Sequence, residues 1–346
     1  MPVIKRRIAI PALILALLVA SVVFLATGAV EIPFGTTVKI LVVQLFGVDG
    51  KTVSDVPASL RDIIWFIRFP RLLLAVIVGI CLAVAGAIFQ GLFRNPMADP
   101  YVIGASSGAA LGATASMVLA AGWSWMGLGS IPLTAFFGAL ITVLLVYNLA
   151  RIGNVVPVQN LLLAGIAVSA FLSSIVSLLM YFSDDRLHAV VYWLMGGLSG
   201  RSWDYVIWSL PYTLIGLGLA IYCARDLNVM LLGEERAQHL GIEVETSKKV
   251  LLVSASVLTA TAVAASGIIG FVGLIVPHVV RILIGPDHWK LIPAAGLAGA
   301  MLVVLADLAA RTLLAPVEIP LGVVTSLFGA PFFLYLLRRH RRTYFS

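Results

Sequence analysis

The amino-acid sequence predicts an all-α polytopic membrane protein, with about ten transmembrane helices in a single domain over residues 1–346. The first observation behind this prediction is composition, since 61% of the 346 residues are hydrophobic and only 11% are charged. A soluble domain carries about 25% charged residues, because its surface must be solvated. The second observation is a series of apolar runs of lipid-crossing length. Lipid is therefore the expected solvent for most of the chain.

A helix crosses the hydrocarbon core of a bilayer with about 20 apolar residues. Runs of this kind lie at about 8–29, 71–91, 103–121, 131–150, 160–182, 204–224, 249–266, 268–285, 290–314 and 319–337. Ser266 and Gly267 are the expected break between the seventh and eighth runs. A shorter apolar piece at 189–198 predicts a re-entrant or interfacial helix.

The first run follows Lys5, Arg6 and Arg7, as the apolar part of a signal peptide would. The run is longer than that part usually is, and many further spans follow it. We therefore expect the first helix to be retained.

Net charge is +7, yet the basic residues stand at the ends of apolar runs and do not form one aromatic-studded face. This pattern favours membrane orientation over nucleic-acid binding. With the N-terminus inside, fifteen Lys and Arg residues lie on the cytoplasmic side and eight lie outside, which predicts cytoplasmic termini in the inner membrane. Arg68, Arg71 and Arg311 are exceptions at outer helix ends.

Small residues recur every fourth position in two of the runs. One set is Gly104, Gly108 and Gly112; the other is Gly79, Ala83, Ala87 and Gly91. Membrane helices associate through close backbone approach at such residues, so each set predicts a packing ridge. The stretch around Gly104 is glycine-rich like a phosphate loop, but it lacks the preceding strand and following helix.

Three other features resemble nucleotide-binding, metal-binding or disulfide sites, but we do not expect them to serve as such. The segment Gly47–Thr52 ends like a P-loop, but Leu45 stands where the loop needs its first glycine. His278 has no second ligand at metal-binding spacing, so we expect a structural role or one facing a cytoplasmic partner. Cys81 and Cys223 fall within or at the end of apolar runs, and we expect both to be buried as small hydrophobes.

The longest charged stretch is residues 225–249, which the charge pattern places in the cytoplasm. Its middle, Leu231–Ile242, predicts one or two short amphipathic helices. A helix of this kind fits docking into a groove on a soluble partner. Lodging on the membrane surface is an equally good reading of the same pattern.

Several motifs in this chain resemble, in the same order, those of the FecCD-type permeases, which are the transmembrane subunits of type II ABC importers for iron-siderophores, haem and vitamin B12. They are RFPRLLLAVIVG at 68–79, GAIFQGLFRNPMADPYVIGASSGAALGA at 86–113, LLLAG at 161–165, YWLMGGLSG at 192–200, Leu-Gly-x-x-x-Ala-x-x-Leu-Gly at 232–241, GIIGFVGLIVPHVVR at 267–281, LADLAAR at 305–311 and EIPLGVVTSLFGAPFF at 318–333. The match covers nearly the whole chain after the first helix.

The resemblance implies a ten-helix permease that works as a homodimer with its pathway along the two-fold axis. Two cytoplasmic ATPase subunits would bind beneath it, and one periplasmic or lipid-anchored binding protein above. ATP and Mg²⁺ would be bound by the ATPases, and no cofactor is expected in this chain. Residues 225–249 would form the coupling segment within the permease domain.

The resemblance also implies roles for particular residues. ATPase coupling would fall to Leu232, Gly233, Ala237, Leu240 and Gly241. Docking of the binding protein would fall to Arg68, Arg71 and Arg311, with anchoring to lipid headgroups as the alternative. The cytoplasmic gate would comprise Asn95, Pro96, Met97, Val158, Gln159 and Asn160. Gly233 and Gly241 are expected to make turns, and Asp307 could pair with Arg311 one helical turn away.

The implied function is ATP-driven import of a metal chelate by alternating access. The rival class is a secondary transporter driven by an ion gradient, which would need membrane-buried ionisable residues to carry the ion. Asp307 is the one candidate for that task in the sequence. Nothing resembles a Ser/His/Asp triad or a carboxylate pair, so we expect a transport subunit that is not an enzyme.

Overall fold

The computed structural model describes residues 3–28, 30–47, 56–119, 122–125 and 128–344. These residues are mostly helical, with one two-strand hairpin. The helices are α1 (Val3–Ala26), α2 (Phe34–Phe46), α3 (Ala58–Asp62), α4 (Phe69–Leu92), α5 (Ala105–Val118), α6 (Ser130–Ala150), α7 (Val158–Tyr181), α8 (Leu187–Leu194), α9 (Trp203–Tyr222), α10 (Ala224–Met230), α11 (Glu234–His239), α12 (Val244–Ser266), α13 (Val272–Ile284), α14 (His288–Thr312) and α15 (Leu321–Tyr344). The antiparallel strands are β1 (Ser124–Trp125) and β2 (Leu128–Gly129).

Each of the ten predicted runs coincides with one of these helices, which confirms the all-α membrane fold. Within the described residues, seven helical stretches are long and apolar enough to cross a bilayer. They are α1, the stretch Ala58–Leu92, α6, α7, α9, α12 and α14. The apolar helix α13 is shorter, as is the apolar part of α15, and α5 has 14 residues. The number of ten crossings therefore stays a prediction.

The helical pieces that the sequence did not predict include α2 and the π-helical turn before α4. Helix α2 has 13 residues, and polar Thr36, Thr37 and Lys39 interrupt its apolar side chains. The π-helical turn Ile63–Arg68 joins α3 to α4 and extends that helix toward its N-terminus. Residues 48–52 of the P-loop-like segment lie outside the described residues.

Helix α4 is the centre of the bundle, with 20 of its 24 residues buried. It packs on α14, α12 and α13. A Cβ atom on Gly79 would come within 3.0 Å of the Gly299 carbonyl oxygen, and one on Gly86 would do the same at Gly273. These two contacts require backbones to touch, which confirms that small residues of α4 serve helix packing.

Helices α5 and α6 pack in the same manner. A Cβ on Gly108 would come within 3.0 Å of the Gly138 carbonyl oxygen, and one on Gly112 would meet the Thr134 carbonyl oxygen as closely. Gly104 differs from the other two glycines, because it precedes α5 with φ of 84° and so begins the helix. The predicted packing role is confirmed for Gly108 and Gly112, while Gly104 serves the start of the helix.

The predicted break after Ser266 is confirmed and is tied to two other chain segments. Helix α12 ends at Ser266, and Gly267 has φ of 71°, a conformation that favours glycine. The Gly197 N–H donates to the Ser266 carbonyl at 2.7 Å, while the Leu321 N–H donates to the Gly196 carbonyl at 2.9 Å. The break, the end of α8 and the start of α15 thus share one hydrogen-bonded junction.

Candidate functional site

The predicted coupling segment folds as two short helices, α10 and α11, separated by Leu231–Gly233. Gly233 has φ of 116° and Gly241 has φ of 82°. Side chains rarely adopt these angles, so both positions favour glycine. The expectation that these glycines make the turns on either side of α11 is confirmed.

The leucines flanking α11 are exposed, whereas its alanine is buried. Leu232 is 58% exposed and Leu240 is 64% exposed, while Ala237 is fully buried. Ala237 therefore holds α11 against its own chain and presents no surface to a partner. Both leucines leave apolar side chains exposed on the predicted coupling segment, which suits docking on a soluble protein.

Helix α10 is fastened to the start of α14 by Asn228. The Asn228 amide donates to Asp287 Oδ1 at 2.9 Å, and its Oδ1 accepts the His288 N–H at 2.8 Å. Asp287 also caps α14 by accepting the Trp289 N–H. The predicted coupling segment is thus attached to a long helix of the bundle.

The predicted gate residues lie at helix ends. Asn95, after α4, accepts the Met97 N–H on its Oδ1 at 2.9 Å, which closes a tight turn around Pro96. Pro157 directly precedes α7, so Val158–Asn160 form that helix's first turn. Their assignment as a gate stays a prediction.

The loop between α4 and α5 is anchored on the α12–α13 break. The Tyr101 hydroxyl donates to the Ile269 carbonyl at 2.9 Å. Asp99 accepts the Tyr101 N–H at 2.8 Å. Burial raises the pKa of the Asp99 carboxyl to about 6, although this hydrogen bond opposes the rise. The loop therefore contains a carboxyl group whose pKa is raised well above its usual value.

Two of the three arginines at the predicted outer end hold the end of α1. Arg68 is buried and donates to the Leu25 carbonyl at 2.6 Å and to the Ala26 carbonyl at 3.1 Å. Arg311 is partly exposed; it donates to the Phe24 carbonyl and lies 3.9 Å from the centre of the Phe24 ring. Cations are favoured at the C-terminal carbonyls of a helix.

The third arginine, Arg71, is buried between two carboxylates. It forms two hydrogen bonds with Asp307, at 2.8 and 2.9 Å, and two with Glu318, at 2.9 and 3.1 Å. Burial raises the pKa of the Glu318 carboxyl, but hydrogen bonding to Arg71 and its charge outweigh burial and hold that pKa below its usual value. Asp307 thus pairs with Arg71 of α4, and the expected pairing with Arg311 is wrong. The docking role of the three arginines stays a prediction.

The remaining sequence candidates are buried in the bundle. Cys81 and Cys223 are free thiols with 0% and 1% exposure, which confirms the expected burial. His278 is 7% exposed. Among the residues that the structure describes, no group of three His, Cys, Asp or Glu side chains could hold a metal ion.

From the sequence, Lys248 was counted only among the basic residues that indicate membrane orientation, and its structural contacts were missed. Its ammonium group lies 2.6 Å from Glu234 of α11 and 2.9 Å from Glu245 of its own helix, and the residue is buried. Glutamate three residues before lysine was the available signal. The partner on α11 becomes visible only in the fold.

Comparison with known proteins gives one consistent family. The model of the FecCD transport family matches residues 13–339. The cobalamin import system permease protein of Halobacterium salinarum is 47% identical over 283 residues, covering 82% of this chain and 75% of that protein. The hemin transport system permease protein of Yersinia pestis is 44% identical over 291 residues, covering 82% and 86%.

A solved structure gives the same result for the fold. A metal-chelate type ABC transporter in an inward-facing conformation matches with a TM-score of 0.82 and 31% identity, over 95% of this chain and 98% of that one. The family model and the two relatives cover most of the chain, and they confirm the resemblance seen in its motifs. The chain therefore belongs to the FecCD transport family of ABC transporter permeases.

Proposed function

We propose that this chain is the membrane-spanning subunit of an ATP-driven importer that moves a metal chelate into the cytoplasm by alternating access. The cargo class comprises iron-siderophores, haem and cobalamin, since relatives named for iron(3+)-hydroxamate, hemin and cobalamin match along most of the chain. The observation that carries the proposal is the exposed pair Leu232 and Leu240 beside α11, within a chain that belongs to this permease family.

The proposed assembly contains two copies of this chain, two cytoplasmic ATPases and one binding protein on the outer side. Each ATPase would accept α11 in a groove, with the two leucines as apolar anchors. ATP and Mg²⁺ would bind the ATPases, so this chain would supply movement and a pathway. The residues 225–249 and both termini would lie in the cytoplasm, in agreement with the distribution of Lys and Arg.

Docking of the binding protein would involve the outer arginines in different ways. Arg311 is partly exposed and is available to an acidic partner. Arg68 and Arg71 are buried, so both would first have to break their present hydrogen bonds. Arg68 would have to leave the carbonyls at the end of α1, and Arg71 would have to leave Asp307 and Glu318. Charge pairs of this kind orient a partner more than they add affinity.

The geometry of Asp307 argues against an ion-gradient mechanism. A carboxylate that carries a proton or sodium ion must be able to bind and release it during each cycle. Asp307 is 1% exposed and both of its oxygens bond to Arg71. Binding a coupling ion there would leave the buried Arg71 charge without that partner, which is costly.

Assembly is the first test of this function. The chain is co-expressed with its ATPase and measured by native mass spectrometry, and the ATPase activity is followed as binding protein is added. The proposal predicts a complex of two permeases and two ATPases whose activity rises with binding protein and chelate. A permease that purifies alone, with ATPase activity unaffected by either, would contradict it.

A further inference from the structure

Three hydrogen-bonded contacts connect α11, through the start of α12, to Val156 just before α7. Lys248 Nζ bonds to Glu234 Oε2 of α11 at 2.6 Å and to Glu245 Oε1 of α12 at 2.9 Å. The other oxygen of Glu245 accepts the Val156 N–H at 3.2 Å. Only Pro157 separates Val156 from α7, whose first residues, Val158–Asn160, are the gate residues predicted from the sequence.

Burial makes the lysine the central member of this series. The Lys248 side chain is 4% exposed, while those of Glu234 and Glu245 are 32% and 25% exposed. A buried ammonium group that loses a carboxylate partner is destabilised strongly, because water cannot replace that partner. The two carboxylates are partly exposed, so water can still solvate them. Lys248 is therefore expected to follow Glu234 when α11 moves.

The last part of the connection is stiff. Val156 is 3% exposed, and the Ile152 and Val155 backbones pair across the turn before it. Pro157 has a fixed φ because of its ring, so it adds little freedom between Val156 and Val158. We therefore expect a displacement of Glu245 to shift the start of α7.

We infer that Lys248, held between Glu234 and Glu245, couples movement of α11 to the opening of the cytoplasmic gate at the start of α7. The inference rests on the proposed function and assigns Lys248 and Glu234 as positioning residues for transport. Neither residue needs to contact cargo or ATP. Their role is to ensure that the gate opens when the ATPase displaces α11.

The experiment measures how much cargo enters per ATP hydrolysed. The full complex is reconstituted in vesicles and supplied with cyanocobalamin, haemin or a ferric hydroxamate siderophore, whichever the wild-type complex accumulates. The variants are Lys248→Met, Lys248→Arg and Glu234→Gln. Glu235→Gln is the matched control, because Glu235 is the neighbouring acid of the same helix and is exposed. A wild-type complex that accumulates none of the three probes with ATP would refute the proposed function before any variant is compared.

For Lys248→Met and Glu234→Gln we expect the cargo moved per ATP to fall at least tenfold, while ATP hydrolysis stays within twofold of wild type. Lys248→Arg should restore coupling, because a guanidinium group also bonds two carboxylates. Glu235→Gln should match wild type. Where Lys248→Met fails to fold, Glu234→Gln decides the question, since its carboxylate is partly exposed.

A second readout follows the gate itself. Gln159→Cys is labelled with a water-soluble maleimide, with and without ATP and vanadate; the native cysteines are buried. In an otherwise wild-type complex the labelling rate should change on ATP binding, and Glu234→Gln should abolish that change. Cargo per ATP within twofold of wild type in Glu234→Gln, or a gate response that persists in it, would overturn the inference.

Discussion

Arg71 and Asp307 form a two-bond salt bridge that joins α4 to α14 across 236 residues of sequence, with Nε–Oδ2 at 2.8 Å and Nη2–Oδ1 at 2.9 Å. Asp307 is 1% exposed. Glu318 completes the cluster from the segment between α14 and α15. One arginine therefore connects three parts of the chain.

Replacing Asp307 with Asn should destabilise the protein strongly. Breaking a buried ion pair from one side costs about 3–5 kcal/mol, because the remaining charge keeps its desolvation penalty. Glu318→Gln is the control, and it should cost about 1 kcal/mol or less because that side chain is one-third exposed. Thermal unfolding in detergent measures both. Equal losses of Tm in the two variants would contradict this ranking.

Gly79→Ala should destabilise the contact between α4 and α14. The added Cβ would come within 3.0 Å of the Gly299 backbone, so the helices must separate. Gly218→Ala is the matched control, since a Cβ there meets nothing within 4 Å. The control should gain up to about 1 kcal/mol from helix propensity. Opposite signs of the two Tm changes are expected, and equal signs would refute the packing argument.

Leu232→Ser and Leu240→Ser should each weaken ATPase binding about 30-fold, as loss of an apolar anchor worth about 2 kcal/mol does. Both leucines are more than half exposed, so the fold should be unaffected. Leu313→Ser is the control, since Leu313 is 59% exposed but follows the far end of α14. Titration of purified ATPase onto the permease measures the affinities. Unchanged affinity in both coupling variants would exclude this docking surface.

Asp99→Asn should change how stability depends on pH. Burial raises the pKa of Asp99 from 3.8 to about 6, so between these values the folded state holds a proton that the unfolded state has released. Wild-type stability from this group is therefore lost as pH rises through that window. The variant cannot titrate, so its Tm relative to wild type should rise between pH 4 and pH 7. A difference that is constant with pH would rule out this pKa.

Much of the helical framework could be predicted from composition and apolar runs, because crossing a bilayer demands a long apolar segment. Helix α2 escaped this reasoning, since its 13 residues are too few to cross and Lys39 interrupts them. The break at Gly267 could be predicted because glycine adopts positive φ readily. No residue pattern in the sequence indicated the π-helical turn before α4.

The motifs identified the candidate site residues, but they did not predict which residues these would contact. Sequence spacing suggested that Asp307 pairs with Arg311 on its own helix, whereas the fold brings Arg71 to it from α4. Similarly, Ala237 shares the motif with Leu232 and Leu240 but faces inward. Such pairings depend on how helices pack, and periodicity along one helix does not contain that information.

Uptake into sealed vesicles is the most direct test of the central claim, that ATP drives this permease. The complex is supplied with binding protein and each of cyanocobalamin, haemin and a ferric hydroxamate siderophore, with ATP on the ATPase side or with an imposed ion gradient. The account predicts accumulation of one chelate that requires ATP hydrolysis and is insensitive to an ionophore. Accumulation that proceeds without ATP and collapses with the ionophore would contradict it.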